Sequence, residues 1–183
     1  MTTKFKHFFA LFIVLYCLMT TQNIQAINDI KRLENTISKH VSLTQITCLA
    51  KNIFYEAGHE STEGKAAVAR VVVNRMNNGF GNTPCQVVYQ SKYIEQNNQQ
   101  VKVCQFSWVC EGKDNPNKND PRYIQSMNIA YDVLANNSYN DVLPKSALFF
   151  HNLSVSVDNS WPYRKIKQIG NHIFYSKKKS NGK

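Results

Sequence analysis

Glu56 is the residue whose type and position best suit acid–base chemistry. On a helix over residues 44–57, Glu56 lies within about 40° of Leu49 and about 60° of Ile53, at the edge of the apolar face. Desolvation beside apolar neighbours disfavours the charged carboxylate, so the sequence predicts a raised pKa for Glu56. A carboxyl group that stays protonated near neutral pH can act as a general acid. The alternative is a structural carboxylate paired with a nearby basic residue. The candidates for that pairing are Lys51 and Arg70.

The histidines are the other side chains that can do chemistry. His59 and Glu60 are not followed by the second His of an H-E-x-x-H zinc motif. His151 and His172 fall in short predicted strands, where they can orient Glu56 or support a sheet. The histidine pattern therefore predicts no metal site, and nothing in the sequence indicates a cofactor.

Residues 1–26 have the layout of a secretory signal peptide. Lys4 and Lys6 form a basic head, residues 8–19 are an apolar run, and Ala26 precedes the predicted cut. The apolar run is shorter than the roughly 17–25 residues of a membrane-spanning helix. We therefore predict export to the periplasm, the cell wall or the medium. The alternative is an uncleaved anchor, because Ile24 is a poor residue three places before the cut.

The remaining residues suffice for one domain with a substantial core. We predict a lead-in over residues 27–43, a single domain over 44–176 and a disordered basic tail over 177–183. Without the two lysines of the leader the net charge falls from +10 to +8. An exported basic protein suits anionic cell-envelope polymers. Export and the lack of a basic aromatic repeat disfavour nucleic acid, and no feature indicates an obligate protein partner.

The cysteines favour disulfides over a metal site. Cys17 falls in the leader, and four cysteines follow it. An even number in an oxidising compartment suggests two bridges, for which three connectivities are possible. No pair has zinc-finger spacing. The candidates are Cys48, Cys85, Cys104 and Cys110.

Four helices are predicted from apolar spacing and capping signals. Apolar residues recur at helical spacing over residues 44–57, and Gly58 ends that helix. Ser61 and Glu63 begin a second helix, which ends at Asn77. A cap residue followed by proline begins two more. These are the Thr83-Pro84 helix through Tyr89 and the Asp120-Pro121 helix that ends at Asn136 and Asn137.

The C-terminal part changes to short aromatic and β-branched segments. Strands are predicted over residues 147–151, 164–169 and 172–176, with Gly170-Asn171 as a tight turn. Residues 91–119 are polar, and we predict irregular structure there except over 104–110. Helices first and a small antiparallel sheet near the C-terminus make an α+β domain.

Three blocks of sequence resemble the motifs of the SleB-type cell-wall hydrolases, the family that includes the spore-cortex-lytic enzymes. The first block is Cys-Leu-Ala-Lys-Asn-Ile-Phe-Tyr-Glu-Ala over residues 48–57, with residues 63–69 and 73–75 behind it. The second is Cys-Gln-Phe-Ser-Trp-Val-Cys-Glu-Gly over 104–112. The third combines Ala-Leu-Phe-Phe-His-Asn over 147–152, Trp161 and residues 169–175. They follow the family's order and cover roughly residues 45–176.

This resemblance implies a lysozyme-like domain, related to lytic transglycosylases, that cleaves peptidoglycan. The Glu of the Tyr-Glu-Ala motif, here Glu56, would be the catalytic residue. Gln105, Phe106 and Ser107 correspond to the cleft wall that holds the sugar. A Cys104–Cys110 bridge is the favoured disulfide, because its closed seven-residue loop would brace that wall. The peptidoglycan-binding repeat of some members is not found here, which leaves wall binding to the domain itself.

Aromatic side chains fit sugar binding, because they can stack on the apolar faces of pyranose rings. Trp161 is the best candidate for an exposed aromatic, whereas Phe106, Phe149 and Phe174 suit core packing. Trp108 is a further stacking candidate. The complete set of predicted substrate-binding residues is Tyr55, Gln105, Phe106, Ser107, His151, Trp161, His172 and Tyr175.

The number of acting carboxylates separates the candidate reactions. A hydrolase pairs an acid with a nucleophile or base, whereas a lytic transglycosylase, by resemblance, needs one Glu. The nearby acids lack the apolar setting of Glu56, which favours the single-Glu route. They are Glu60, Glu63, Glu111 and Asp114. The alternatives are a muramidase, a zinc-dependent N-acetylmuramoyl-L-alanine amidase and a non-catalytic wall-binding module.

Overall fold

The structure, a computed structural model, describes residues 23–32, 43–157 and 161–178. The chain divides into two compact units, one up to Leu43 and one from Thr44 onward. In the first unit, residues 23–32 are helical and exposed. No helix in the described ranges is long and apolar enough to cross a membrane. Most of the predicted leader and lead-in, and most of the basic tail, lie outside the described residues.

The second unit has helices at the four predicted places. Within this unit helix α1 comprises residues 44–57. The next two are α2 (Thr62–Asn77) and α3 (Pro84–Val88). Then follow a one-turn helix, α4 (Ser107–Cys110), and α5 (Pro121–Ala135).

The predicted caps begin these helices. Ser61 Oγ accepts a hydrogen bond from the Gly64 N–H at the start of α2. Thr83 does the same for Gln86 in α3, and Asp120 caps α5. Side-chain caps satisfy backbone donors that the first turn leaves free. The helix boundaries predicted from these residues are therefore confirmed.

Residues 91–104 form a β-hairpin, so the prediction of irregular structure there was wrong. Strands β1 (Ser91–Gln96) and β2 (Gln99–Cys104) pair antiparallel. Asn97 and Asn98 join them with φ of 53° and 57°, the left-handed conformations that a two-residue hairpin turn favours. Nearly all of the hairpin is exposed. Apolar and polar residues alternate only over residues 101–103, which is too short a signal to identify a strand in a sequence.

The C-terminal strands form a three-stranded antiparallel sheet, as predicted. They are β3 (Phe149–Asn152), β4 (Tyr163–Ile169) and β5 (His172–Lys177), in the order β3-β5-β4. Gly170 and Asn171 form the turn between β4 and β5, and Gly170 has φ +55°. Helices followed by this sheet confirm the α+β class.

Helix α2 lies at the centre of the core because both of its sides are buried. Ala66, Ala69 and Val72 belong to a cluster that also contains residues of α1 and α5. Val68 and Val71 belong to a second cluster, which contains residues of the C-terminal sheet. Helix α1, which carries Glu56 near its end, therefore packs against the buried helix α2.

Two disulfides join elements of this unit. Cys48 in α1 lies at S–S 2.10 Å from Cys85 in α3. Cys104 at the end of β2 lies at 2.05 Å from Cys110 in α4. The second pair is the one that the sequence analysis favoured, and it encloses residues 105–107.

In a chain that begins at Ile27, and so lacks Cys17, we expect no reactive thiol without reductant. Alkylation in denaturant followed by mass spectrometry should find no modified cysteine, and four after reduction. Replacing Cys48 and Cys85 by Ser should lower the free energy of unfolding by about 3–4 kcal/mol. Replacing Cys104 and Cys110 by Ser should lower the free energy of unfolding by about 2 kcal/mol, since this disulfide closes a shorter loop. Four reactive thiols before reduction would contradict both pairings.

Candidate functional site

An open cleft of about 520 Å³ lies where α1, residues 105–107 and the C-terminal sheet meet. We call it the central cleft. It brings together seven of the nine predicted catalytic and substrate-binding residues, and Tyr55 and Tyr175 are the two outside it. Its lining residues are Glu56, Val71, Gln105, Phe106, Ser107, Leu148, Phe149, Phe150, His151, Asn152, Val155, Trp161, Tyr163 and His172.

Glu56 is half-buried in this cleft. Desolvation by burial raises its pKa to about 7, and the nearby charge of Glu111 adds to that rise, while Lys113 opposes it. Among the described residues Glu56 forms no ion pair, and Arg70 instead donates to the Asn137 carbonyl at 2.7 Å. The carboxyl group is thus kept protonated to a higher pH than an exposed Glu.

A second recess of about 370 Å³ is also lined by Glu56. We call it the Arg122 pocket. It shares Glu56 and Asn152 with the central cleft, so the acid borders two open spaces. The pocket is lined by Phe54, Tyr55, Glu56, Ala57, Gly58, His59, Glu60, Arg122, Asn152 and Asn171.

A third recess of about 280 Å³, which we call the Lys92 pocket, borders the central cleft. It shares Gln105 and Phe149 with that cleft. Its lining residues are Arg75, Phe80, Gln90, Ser91, Lys92, Val103, Cys104, Gln105 and Phe149. The central cleft therefore borders both smaller recesses through shared residues, and we call the three recesses together the groove.

Two other carboxylates near Glu56 are already engaged. Glu60 accepts a hydrogen bond from the Asn171 N–H at 3.3 Å, and its Oε1 lies 3.7 Å from His172 Nδ1. Glu111 pairs with Lys113 at 3.1 Å on the surface, and that hydrogen bond lowers its pKa. Glu56 is the only carboxylate among the described residues that line the central cleft.

His151 is held in one orientation by two hydrogen bonds. Its Nδ1 donates to the Asn152 carbonyl at 2.8 Å, because a carbonyl oxygen can only accept. Its Nε2 lies 2.8 Å from the Tyr175 hydroxyl. Tyr175 is only 6% exposed and does not line the cleft. Tyr175 therefore lies behind His151 and not, as predicted, against the substrate space.

His172 lies at the edge of the same space. Burial lowers its pKa, and the Glu60 carboxylate opposes that shift. Its side chain is almost fully buried and contacts the ring of Phe150 edge-on at 5.2 Å. His172 thus lines the cleft, and its Nδ1 lies near the Glu60 carboxylate without a hydrogen bond among the described residues.

The aromatic residues divide between cleft and core. Trp161 is half-buried, lines the central cleft and meets the His151 ring at 5.8 Å. Phe106 lines the cleft but is 3% exposed. Trp108, 4% exposed, is a core residue whose Nε1 donates to Asn52 Oδ1 at 3.1 Å. Tyr55 stacks on Trp108 at 4.8 Å and belongs to the Arg122 pocket.

Gln105 is fixed by a buried arginine that sequence reasoning did not select. Arg75 donates to Gln105 Oε1 at 2.5 Å and to Gln90 Oε1 at 2.8 Å. It also donates to the Leu148 carbonyl at 3.3 Å. Burial lowers the pKa of Arg75 to about 10, which leaves it charged at neutral pH. The hydrogen bond from the buried Arg75 therefore orients the side-chain amide of Gln105, which lines the cleft.

Other lining residues were also missed. Asn152 and Asn171 lie inside the C-terminal motif, which could have drawn attention to them. Arg122 and Lys92 lie in polar stretches with no such signal. The described residues contain no group of three or more His, Cys, Asp or Glu side chains arranged to hold a metal ion.

Comparison with known proteins gives one family and one solved structure. The family described as Cell Wall Hydrolase matches residues 59–175, which is more than half of the chain and begins just after Glu56. A search of curated proteins finds no match. The crystal structure of the catalytic domain of the Bacillus cereus SleB protein is 23% identical, and the match covers 72% of this chain and 89% of that one with a TM-score of 0.49.

Proposed function

Because this chain belongs to the cell wall hydrolase family, we propose that it cleaves the glycan strands of peptidoglycan with Glu56 as the general acid. One observation carries the proposal: the half-buried carboxyl group of Glu56 lines two open recesses, and its pKa is raised to about 7. A strand lying along the groove would place sugars on both sides of Glu56 and a glycosidic oxygen beside it.

The proposed reaction uses this one carboxyl group twice. Glu56 first transfers its proton to the leaving oxygen while the bond from that oxygen to the muramic acid C1 breaks. The resulting carboxylate then accepts the proton of the muramic acid 6-hydroxyl, whose oxygen bonds to C1 and closes an anhydro ring. Glu60 lines the Arg122 pocket, but it accepts a hydrogen bond from the Asn171 N–H, and Glu111 pairs with Lys113. These contacts support the single-carboxylate route, since a two-carboxylate hydrolase needs a second acid that is free to act at the scissile bond.

Polar residues of the central cleft are proposed to hold the sugars. Gln105 and Ser107 would bind hydroxyl and acetamido groups from one wall, and Asn152 and His151 from the other. Trp161 would stack on a pyranose face. Orientation of Gln105 by Arg75, and of His151 by Tyr175, supports these assignments, because a preorganised donor or acceptor loses less entropy on binding.

We also propose that the protein is exported, with residues 1–26 as its signal peptide and residues 44–176 as its catalytic domain. Family membership indicates an extracytoplasmic role at the cell wall. The two disulfides support export, since such bridges persist in oxidising compartments. The positive net charge would favour adsorption to anionic envelope polymers.

Mass spectrometry of muropeptides released from purified peptidoglycan tests the reaction. We expect fragments that end in 1,6-anhydromuramic acid. Reducing ends in their place would show that water is the acceptor, as in a muramidase. Intact glycan strands with freed stem peptides would identify an amidase and overturn the proposal. Binding without any released product would identify a wall-binding module.

Activity is expected to survive removal of metal ions, because the donor side chains around Glu56 are not arranged as a metal site. Dialysis against a strong chelator should leave the rate of peptidoglycan solubilisation unchanged within about twofold. A loss on chelation that zinc restores would favour the amidase instead. Addition of zinc to the undialysed protein is the matched control.

A further inference from the structure

We propose that the Lys92 pocket is a subsite for a carboxylate of the stem peptide carried by the strand in the central cleft. This inference rests on the proposed function, because it assigns a second part of the same substrate to the same groove. Its basis is an uncompensated positive charge next to an apolar surface, in a recess that shares lining residues with the central cleft.

The charge in this pocket is of one sign. Arg75 and Lys92 line it, and no carboxylate is among its lining residues. Lys177 extends over the ring of Phe80 with its Nζ 5.0 Å from the centroid. Glu95 is the acidic residue of the hairpin. It lies three residues from Lys92 along β1, so the two side chains point to opposite faces of the hairpin.

Arg75 has only neutral partners. Its guanidinium donates to two side-chain amides and one backbone carbonyl, and its Nε has no partner among the described residues. The residue is 1% exposed, and the ring of Phe80 covers it at 4.3 Å. The electrostatic field of a buried cation that has no carboxylate partner is screened less than that of a cation in water, because the surrounding dielectric constant is low. An anion in the pocket would supply the missing countercharge.

The shape of the pocket suits a short peptide. Phe80, Val103 and Phe149 give it apolar walls that can receive methyl groups, while the cation of Lys92 reaches its rim. Lys92 and Val103 are register partners on one face of the hairpin, so both side chains point the same way. The pocket meets the central cleft at Gln105 and Phe149. A peptide branching from a sugar in that cleft could therefore enter it directly.

Binding to strands with and without stem peptides tests this subsite. The protein carries Glu56→Gln, and the probes are end-labelled glycan strands, either peptide-bearing or stripped of peptide by an amidase. Lys92→Gln should raise the Kd for peptide-bearing strands about threefold to fivefold and leave the Kd for stripped strands unchanged. The double variant with Lys92→Gln and Lys177→Gln should raise the Kd for peptide-bearing strands by roughly tenfold in total. Lys102→Gln is the matched control, because it removes the same charge from the opposite face of the hairpin.

An equal loss with Lys102→Gln, an equal loss on stripped strands, or no loss with Lys92→Gln would overturn the subsite. Lys92-dependent binding of a glycerol-phosphate polymer with equal affinity would also overturn the assignment to peptide. The measurement needs no cleavage. A failure of the proposed reaction would instead appear in the muropeptides released by the unaltered enzyme, so the two proposals fail separately.

Discussion

Glu56→Gln should abolish cleavage while leaving the fold and wall binding nearly unchanged. The amide keeps the size and hydrogen-bonding ability of the carboxyl group but has no proton to transfer. We expect kcat to fall by at least a factor of roughly 10²–10⁴, which is typical for loss of a general acid. The loss should be larger if the same group also accepts the proton of the 6-hydroxyl. Release of labelled fragments from peptidoglycan measures this change.

The same variant should lose activity but gain stability, measured as the free energy of unfolding. Since the pKa of Glu56 is raised to about 7 in the folded state, the charged form is disfavoured there, and the penalty is present above that pH and lost as the pH falls toward 4.5. Glu56→Gln should therefore increase the free energy of unfolding by as much as about 3 kcal/mol well above pH 7. Denaturant unfolding at pH 5 and pH 8.5 measures the difference.

Glu63→Gln is the control for this experiment. Glu63 is an exposed acid on α2 that pairs with Lys167 at 3.2 Å and does not line the groove. Its replacement should leave activity within about twofold, since an exposed ion pair contributes little. An active Glu56→Gln protein, or one that lost its fold instead of its activity, would contradict the central assignment.

The pH profile should show a single descending limb near pH 7. A general acid must be protonated, so kcat/KM should fall roughly tenfold per unit above the pKa of Glu56, and about 100-fold by pH 9. Below that pKa Glu56 is already protonated, so its titration causes no further change in kcat/KM at lower pH. Initial rates between pH 5 and pH 9 on soluble strands measure the limb.

Two surface variants should move this limb in opposite directions. Glu111 raises the pKa of Glu56, so Glu111→Gln should shift the limb to lower pH. Lys113 lowers it, so Lys113→Gln should shift the limb to higher pH. Both shifts should be about a few tenths of a unit and should shrink in high salt, because these charges are exposed and screened. A limb that neither variant moves would assign the titration to another group.

The sequence predicted the parts of this molecule that follow from local rules. The caps at Ser61, Thr83 and Asp120 set helix starts, and the edge position of Glu56 on an amphipathic helix indicated its environment. The β1–β2 hairpin was not predicted, because apolar and polar residues alternate only over residues 101–103 of β2, which is too short a periodic signal. The Asn97-Asn98 pair was a second local indication, since Asn tolerates the left-handed conformation better than most residues.

The composition of the groove could not be predicted from spacing. Arg122 and Lys92 come from a helix and a hairpin that are distant in sequence. Only the packing of those elements brings Arg122 into a recess with Glu56, and Lys92 into a recess with Gln105. The sequence singled out Trp161, which lines the cleft, but it also left Trp108 as a stacking candidate, and Trp108 is buried in the core. Burial depends on the tertiary arrangement, and residue type constrains it only on average.

The sharing of Glu56 and Asn152 between two recesses has a consequence for how a polymer would be degraded. Under the proposed function, a strand that ran through both recesses would be bound by its middle and would need no free end. Internal scission shortens the average strand steeply while releasing few small fragments. In a wall under turgor, the first cuts would therefore relax mechanical load well before much material dissolved.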